Sequence, residues 1–201
     1  MKKFVGVIGL GYVGLPLINV IAKKFKVIGF DKNKKRIDEL ENKFDNTLEV
    51  KSINRKIQFT NTIYDLKNCD IIVVCVPTPL YRGTKPDLRN LKSACLELGK
   101  IIKKGTIIIY ESTVYPGCTE GFCKKLIEKK SKLKFNKDFY LGYSPERINP
   151  GNSKRKINDI IKITSGSNDY AAKIIDRFYK KIIKAGTFQT SNIITAESAK
   201  I

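Results

Sequence analysis

The sequence predicts an α/β fold: a doubly wound, mainly parallel sheet with helices on both faces. Three observations predict it. Apolar runs rich in β-branched residues recur at Phe4–Ile8, Val27–Phe30, Asp70–Val76 and Thr106–Tyr110. Segments with helical spacing alternate with them. The first run passes into the first helical segment through Gly9-Leu10-Gly11-Tyr12-Val13-Gly14. Runs with no polar alternation suit strands covered on both faces.

The elements follow in order. Phe4–Ile8 is the first strand, and it ends at the glycine loop. Gly9 lets the chain turn sharply out of the strand. Gly11 lets a pyrophosphate approach the backbone, and Gly14 lets the helix pack close to the sheet. Tyr12 and Val13 sit between them, where the N–H groups of a helix start attract phosphate. A tight turn without a ligand is the plain alternative for three glycines alone. Tyr12–Lys24 reads as the first helix, with Leu15, Ile18, Ile21 and Ala22 on one face and Pro16 in the opening turn.

Val27–Phe30 is the second strand and stops at Asp31. An acid about twenty residues past the first glycine can accept hydrogen bonds from a ribose and repel a 2′-phosphate. The strand–loop–helix–strand–acid order therefore marks a Rossmann-type domain that binds NAD rather than NADP. Asn33–Asn42 is the second helix, with Ile37 and Leu40 inward, and Asp45–Arg55 is an irregular polar connection. Ile57–Phe59 is a short strand and Thr62–Leu66 a helical turn.

Asp70–Val76 is a buried strand with Cys75 packed inside it. It runs into Pro77-Thr78-Pro79-Leu80. Ligands gather at the carboxyl ends of strands in such sheets, which places Thr78 to contact the cofactor. A rigid proline turn is the alternative. Leu88–Ile102 is a helix closed by Lys103-Lys104-Gly105, and Thr106–Tyr110 is a strand leading into Glu111–Gly117. Cys118–Lys129 is a helix, and Phe139–Tyr143 a strand leading into Ser144–Gly151. Ile160–Thr164 is a strand, Asp169–Ile183 a helix and Thr187–Gln189 a short strand. Thr195–Ile201 begins a further helix. The domain plan is one NAD-binding unit over 1–190, with 191–201 starting an interdomain helix.

Composition narrows the function. The chain has 201 residues, 42% of them hydrophobic, enough for one sizeable core. No apolar run approaches the roughly 20 residues of a membrane helix, and no signal peptide precedes the first strand. The expected location is the cytoplasm, with no membrane partner. The chain has no histidine, which excludes a histidine base or triad. Its five cysteines are scattered, so no metal site is expected. The net charge of +20 raises nucleic-acid binding, but the lysines are dispersed and no binding motif accompanies them. No specific nucleic-acid partner is expected.

Five motifs stand in register: GLGYVG, VPTPL, ESTVYPG, YSPERINPG and the terminal AESAK. Together they resemble the UDP-glucose/GDP-mannose dehydrogenase family along essentially the whole chain. The nearest branch is the UDP-N-acetylhexosamine 6-dehydrogenases of surface polysaccharide biosynthesis. The resemblance implies oxidation of the sugar C6 alcohol to a carboxylate by two NAD⁺. A cysteine captures the aldehyde as a thiohemiacetal, which is oxidised to a thioester and hydrolysed.

Carried over, Gly9, Gly11, Gly14 and Asp31 match the cofactor loop and its acid, and Arg36 flanks the adenosine. Thr78 and Thr113 match threonines near the nicotinamide and the reacting carbon. Glu146 matches the glutamate that positions cofactor and hydrolytic water. Lys200 matches the lysine that stabilises the oxyanion. Chemistry agrees in type, since an ammonium can stabilise alkoxide charge and a carboxylate can orient water. Read without the family, Glu146 is an ordinary loop carboxylate and Lys200 a solvated lysine.

Two departures matter. Pro150 stands where UDP-glucose dehydrogenases usually carry a second glutamate, which favours a UDP-N-acetylhexosamine substrate. The family also continues past the lysine into a dimer-forming helix and a second domain. That domain carries the catalytic cysteine, and Cys118 here is a poor substitute. The chain is thus expected to be the NAD-binding portion of a homo-oligomeric enzyme, inactive by itself. The rival reading is a standalone or split NAD-binding module whose partner is a separately encoded C-terminal half.

Overall fold

Strands covered on both faces need apolar side chains at every position, and the predicted runs supply them. The fold is taken from a computed structural model, which describes residues 4–81, 85–146 and 157–200. Strand β1 (Phe4–Ile8) leads into helix α1 (Gly14–Ile21), β2 (Lys26–Phe30), α2 (Lys34–Glu41) and β3 (Ile57–Thr60). A 3₁₀ turn at Ile63–Asn68 precedes β4 (Ile71–Val74). A small hairpin, β5 (Leu80–Tyr81) and β6 (Lys85–Pro86), stands before α3 (Arg89–Ile101) and β7 (Thr106–Tyr110). A π-helical turn at Thr119–Cys123 runs into α4 (Lys124–Ser131), then β8 (Phe139–Tyr143). The chain continues through β9 (Lys162–Gly166), α5 (Asp169–Lys180), β10 (Thr187–Gln189) and α6 (Ile193–Ser198).

Eight strands form one sheet in the order β10-β9-β8-β7-β4-β1-β2-β3. Only the β8–β9 pairing within it is antiparallel. The side chains of each central strand split between two cores. Ile71, Val73, Ile107 and Ile109 pack with α1, α2 and α5. Ile72, Val74, Ile108 and Tyr110 pack with α3, α4 and α6. This is the strand period of two with both faces dry, and each buried Ile or Val contributes about 1.5–3 kcal/mol. The expected doubly wound sheet is therefore present, with one antiparallel step.

The differences from expectation have local causes. Helix α1 is shorter than Tyr12–Lys24, and α6 starts earlier than Thr195 because Asn192 caps it by accepting the Thr195 N–H at 2.8 Å. Strand β4 stops before Cys75, although the Cys75 N–H still donates to the Ile8 carbonyl at 2.8 Å. Cys75 is buried as core packing requires. Strand β9 is shifted two residues along from Ile160–Thr164, and Ile161 faces solvent. Glycines explain its tight seat: a Cβ on Gly166 would lie 2.2 Å from the Ala172 nitrogen of α5. The expected helix from Cys118 opens as a π turn, and the hairpin was not foreseen. Residues 147–156, including Pro150, lie outside the described residues, as do Lys2, Lys3 and Ile201. No helix among the described residues is long and apolar enough to cross a membrane.

Helix α5 packs on β8, β9 and β10 and is capped by Asn168, whose side chain accepts the Ala171 N–H at 2.9 Å. Asn168→Ala should lower the unfolding free energy by about 1 kcal/mol, read as a lower urea midpoint with an unchanged slope.

Candidate functional site

The site forms where β1 and β4 lie side by side and the chain leaves both at the same edge. This is the switch point at which doubly wound sheets bind ligands. Gly9 turns out of β1 with φ +89°, a conformation that favours glycine. A Cβ on Gly14 would lie 1.8 Å from the Gly9 carbonyl oxygen, so only glycine lets α1 begin there. A Cβ on Gly11 would meet nothing within 4 Å. The backbone at Gly11 is therefore open to an approaching group. No side chain caps α1; its Leu15 and Leu17 N–H groups donate to the Gly11 and Val13 carbonyls at 3.1 and 3.3 Å, so a ligand would meet the N–H groups of the loop just before them. Tyr12 is exposed, while Val13 packs partly against the core.

Asp31 and Arg36 line a depression of about 230 Å³ beside this loop, together with Leu10, Gly11, Asn33 and Thr47. The Asp31 carboxylate accepts the Leu10 N–H and the Asn33 N–H, each at 2.9 Å. Arg36 is buried and clamped: it donates to the Leu10 carbonyl at 2.9 Å, to Asn46 at 2.7 Å and to Asp45 at 2.8 Å. Its guanidinium thus ties the glycine loop to the turn after α2. Burial pushes the Asp45 carboxyl up, but bonds from Thr47, Arg36 and the Val50 amide outweigh it. The group titrates below its usual 3.8.

The loops after β4 and β7 are stitched together. The Thr78 hydroxyl donates to the Thr113 carbonyl at 2.6 Å, and the Ser112 hydroxyl to the Val76 carbonyl at 2.6 Å. Thr113 itself is exposed at the crevice edge. On the far side, the Lys200 ammonium donates to the Glu146 carbonyl. Two residues 54 apart in sequence thus meet, through the Glu146 backbone rather than its carboxylate. Glu146 is buried rather than an ordinary solvated loop acid.

Three groups outside the expected set shape this region. Glu197, within AESAK, is fully buried and accepts the Gly117 N–H at 2.5 Å and the Thr119 N–H at 2.9 Å. It fastens the loop bearing Thr113 to α6, just ahead of Lys200. Lys162 donates to Glu111 at 2.7 Å and lies 3.6 Å from the Glu146 carboxylate. Burial alone would lower the Lys162 pKa, but the charges of Glu111 and Glu146 hold it above its usual value. Burial pushes the Glu111 carboxyl up, with Lys162 pulling against it and Glu146 adding to the rise. All five cysteines are buried, so none presents a thiol to the crevice.

The residues present fit a dinucleotide: an open glycine backbone, an uncapped helix start and a carboxylate at the rim of a depression. Comparison with known proteins agrees. Residues 3–183 match the family described as "UDP-glucose/GDP-mannose dehydrogenase family, NAD binding domain". The chain is 49% identical over 201 residues to UDP-N-acetyl-D-glucosamine 6-dehydrogenase of Pseudomonas aeruginosa, covering 98% of this chain and 48% of that protein. It is 46% identical over 204 residues to Protein CapL of Staphylococcus aureus, covering 100% of this chain and 48% of that protein. The solved UDP-D-ManNAc dehydrogenase of Pyrococcus horikoshii superposes with a TM-score of 0.90 at 31% identity, over 98% of this chain and 49% of that one. The chain spans about half the length of the curated relatives it matches.

Asp45→Asn should cost about 1–3 kcal/mol at pH 7, because Arg36 loses its buried counter-charge. A carboxyl with a depressed folded pKa stabilises above its unfolded value and loses that effect as pH falls through the folded one. The gap between wild type and variant should therefore close as pH drops below 3.8, measured by urea unfolding at each pH.

Proposed function

Because the chain belongs to the UDP-glucose/GDP-mannose dehydrogenase family as an NAD-binding domain, we propose that it serves NAD-dependent oxidation of the C6 alcohol of a UDP-N-acetylhexosamine. Similarity to a UDP-N-acetyl-D-glucosamine 6-dehydrogenase supports that sugar class. The observation that carries the reading is the meeting of Lys200 and Glu146 beside a glycine-loop crevice.

NAD, when bound, supplies the hydride acceptor. The chain's own residues do the rest. The 9–14 loop and the start of α1 hold the pyrophosphate. Asp31 accepts the ribose hydroxyls, and Arg36 fixes the loop on that side. Thr78 and Thr113 border the nicotinamide end. The Lys200 ammonium stabilises negative charge on the sugar oxygen, and the Glu146 carboxylate helps position the cofactor and orients water.

A second reading has its own support. With every cysteine buried, no thiol of this chain can capture an aldehyde. By itself the chain then binds NAD without sustained turnover, and a second polypeptide region supplies the nucleophile.

Two measurements test the proposal. Calorimetric titration should show NAD binding at least about tenfold tighter than NADP, since Asp31 repels a 2′-phosphate. Tighter NADP binding would overturn the cofactor assignment. The chain with NAD⁺ and each UDP-N-acetylhexosamine should give no sustained NADH signal until a C-terminal half from a relative is added. In that mixture a preference for UDP-glucose would overturn the sugar class. Lys200→Met should then lower kcat by about 10²-fold or more, as loss of an oxyanion stabiliser does.

A further inference from the structure

Lys162 opens β9 and lies in none of the five motifs. Its side chain is 6% exposed, and the Glu111 side chain opposite is fully buried. The ammonium donates to Glu111 at 2.7 Å and to the Pro145 carbonyl at 3.3 Å. It also lies 3.6 Å from the Glu146 carboxylate and over the Tyr179 ring at 5.5 Å. Tyr179 in turn donates its hydroxyl to the other oxygen of Glu111 at 2.5 Å. Cys75, just past the end of β4, is a further titratable group acting on Lys162.

The charge count is informative. Glu111 alone would neutralise Lys162, and one-to-one pairing is what a buried ammonium requires. A second carboxylate is nevertheless held on the same ammonium, and it belongs to Glu146. The Pro145 contact adds to this grip, so Lys162 touches both the peptide before Glu146 and its carboxylate. Lys200 holds the Glu146 carbonyl from the other side. Glu111 and Tyr179 anchor Lys162 from the β7 and α5 side.

We propose that Lys162 is a positioning residue that fixes the Pro145–Glu146 segment and aims the Glu146 carboxylate at the crevice. This rests on the role given to Glu146 under Proposed function. In this role Lys162 acts only through Glu146.

Removing Lys162 alone leaves two buried carboxylates together, which destabilises the Lys162→Met fold. The informative background is Glu111→Gln, in which Lys162→Met removes the remaining ammonium from beside a single carboxylate. NAD affinity is then measured by calorimetry in a cycle with Glu146→Gln. In that background Lys162→Met and Glu146→Gln should each weaken NAD about tenfold, and the two together about tenfold rather than a hundredfold. A hundredfold combined loss, or no loss from Lys162→Met, would overturn the proposal.

A second readout needs neither this background nor the cofactor. The ¹⁵Nζ resonance of Lys162 in the otherwise unaltered chain should be slow to exchange and should move in Glu146→Gln. A resonance that stays in place would sink the idea even if the double variant does not fold. Failure of wild type to bind NAD would instead reject the cofactor reading, and the ammonium resonance would still decide the Lys162–Glu146 contact.

Discussion

Helix α1 can begin where it does only because residue 14 carries no side chain. A Cβ there would sit 1.8 Å from the Gly9 carbonyl oxygen, and one on Gly9 would sit 2.9 Å from that of Cys75. Three backbones therefore converge: the exit of β1, the start of α1 and the exit of β4. Everything at the crevice depends on this approach. It sets an uncapped helix start between the carboxyl ends of two central strands. The parallel sheet then delivers the loops after β2, β7 and β8 to the same edge.

Those loops are held by charge from distant segments rather than by bulk. Arg36 of α2 grips the Leu10 carbonyl. Glu197 of α6 grips the Gly117 and Thr119 amides. Lys162 of β9 and Lys200 after α6 grip residues 145 and 146. A charged side chain bonded to backbone is among the stronger hydrogen bonds. The design has a cost, because each buried charge needs its partner. Arg36 has Asp45 and Lys162 has Glu111.

Much of this was legible in the sequence, and what was not has a physical reason. Strands β1, β7, β8 and β10 begin and end where the sequence predicts, because their apolar runs and flanking turn residues coincide. Strand β9 slipped because the pair Ile160–Ile161 imitates a strand start although Ile161 is left in solvent. The hairpin β5–β6 has too few residues to show a pattern. At the site, the glycine loop and Asp31 were readable because their spacing is local. Lys162 was not, since it is one of 39 basic residues and its partner Glu111 lies 51 positions away. Glu111 did carry a signal: a carboxylate directly after five buried strand residues cannot reach water easily. Glu197 stood inside a noticed motif, but short helices do not reveal which face is buried.

Charge works at two ranges in this molecule. The net charge of +20 gives a positive potential that draws anionic nucleotides of any kind toward the surface. That field cannot discriminate among them, and salt screens it beyond about 10 Å. On the proposed reading, discrimination falls to Asp31. Asp31 already accepts two backbone N–H bonds, one on each oxygen, which fix its orientation. A carboxylate has about four acceptor sites, so two remain for ribose hydroxyls without any rearrangement. A 2′-phosphate brought to the same place would meet a fixed negative charge at contact distance, where the lysine-rich surface cannot compensate. On the proposed cofactor reading, the basic surface raises encounter rates and the acid at the end of β2 selects among the nucleotides that arrive.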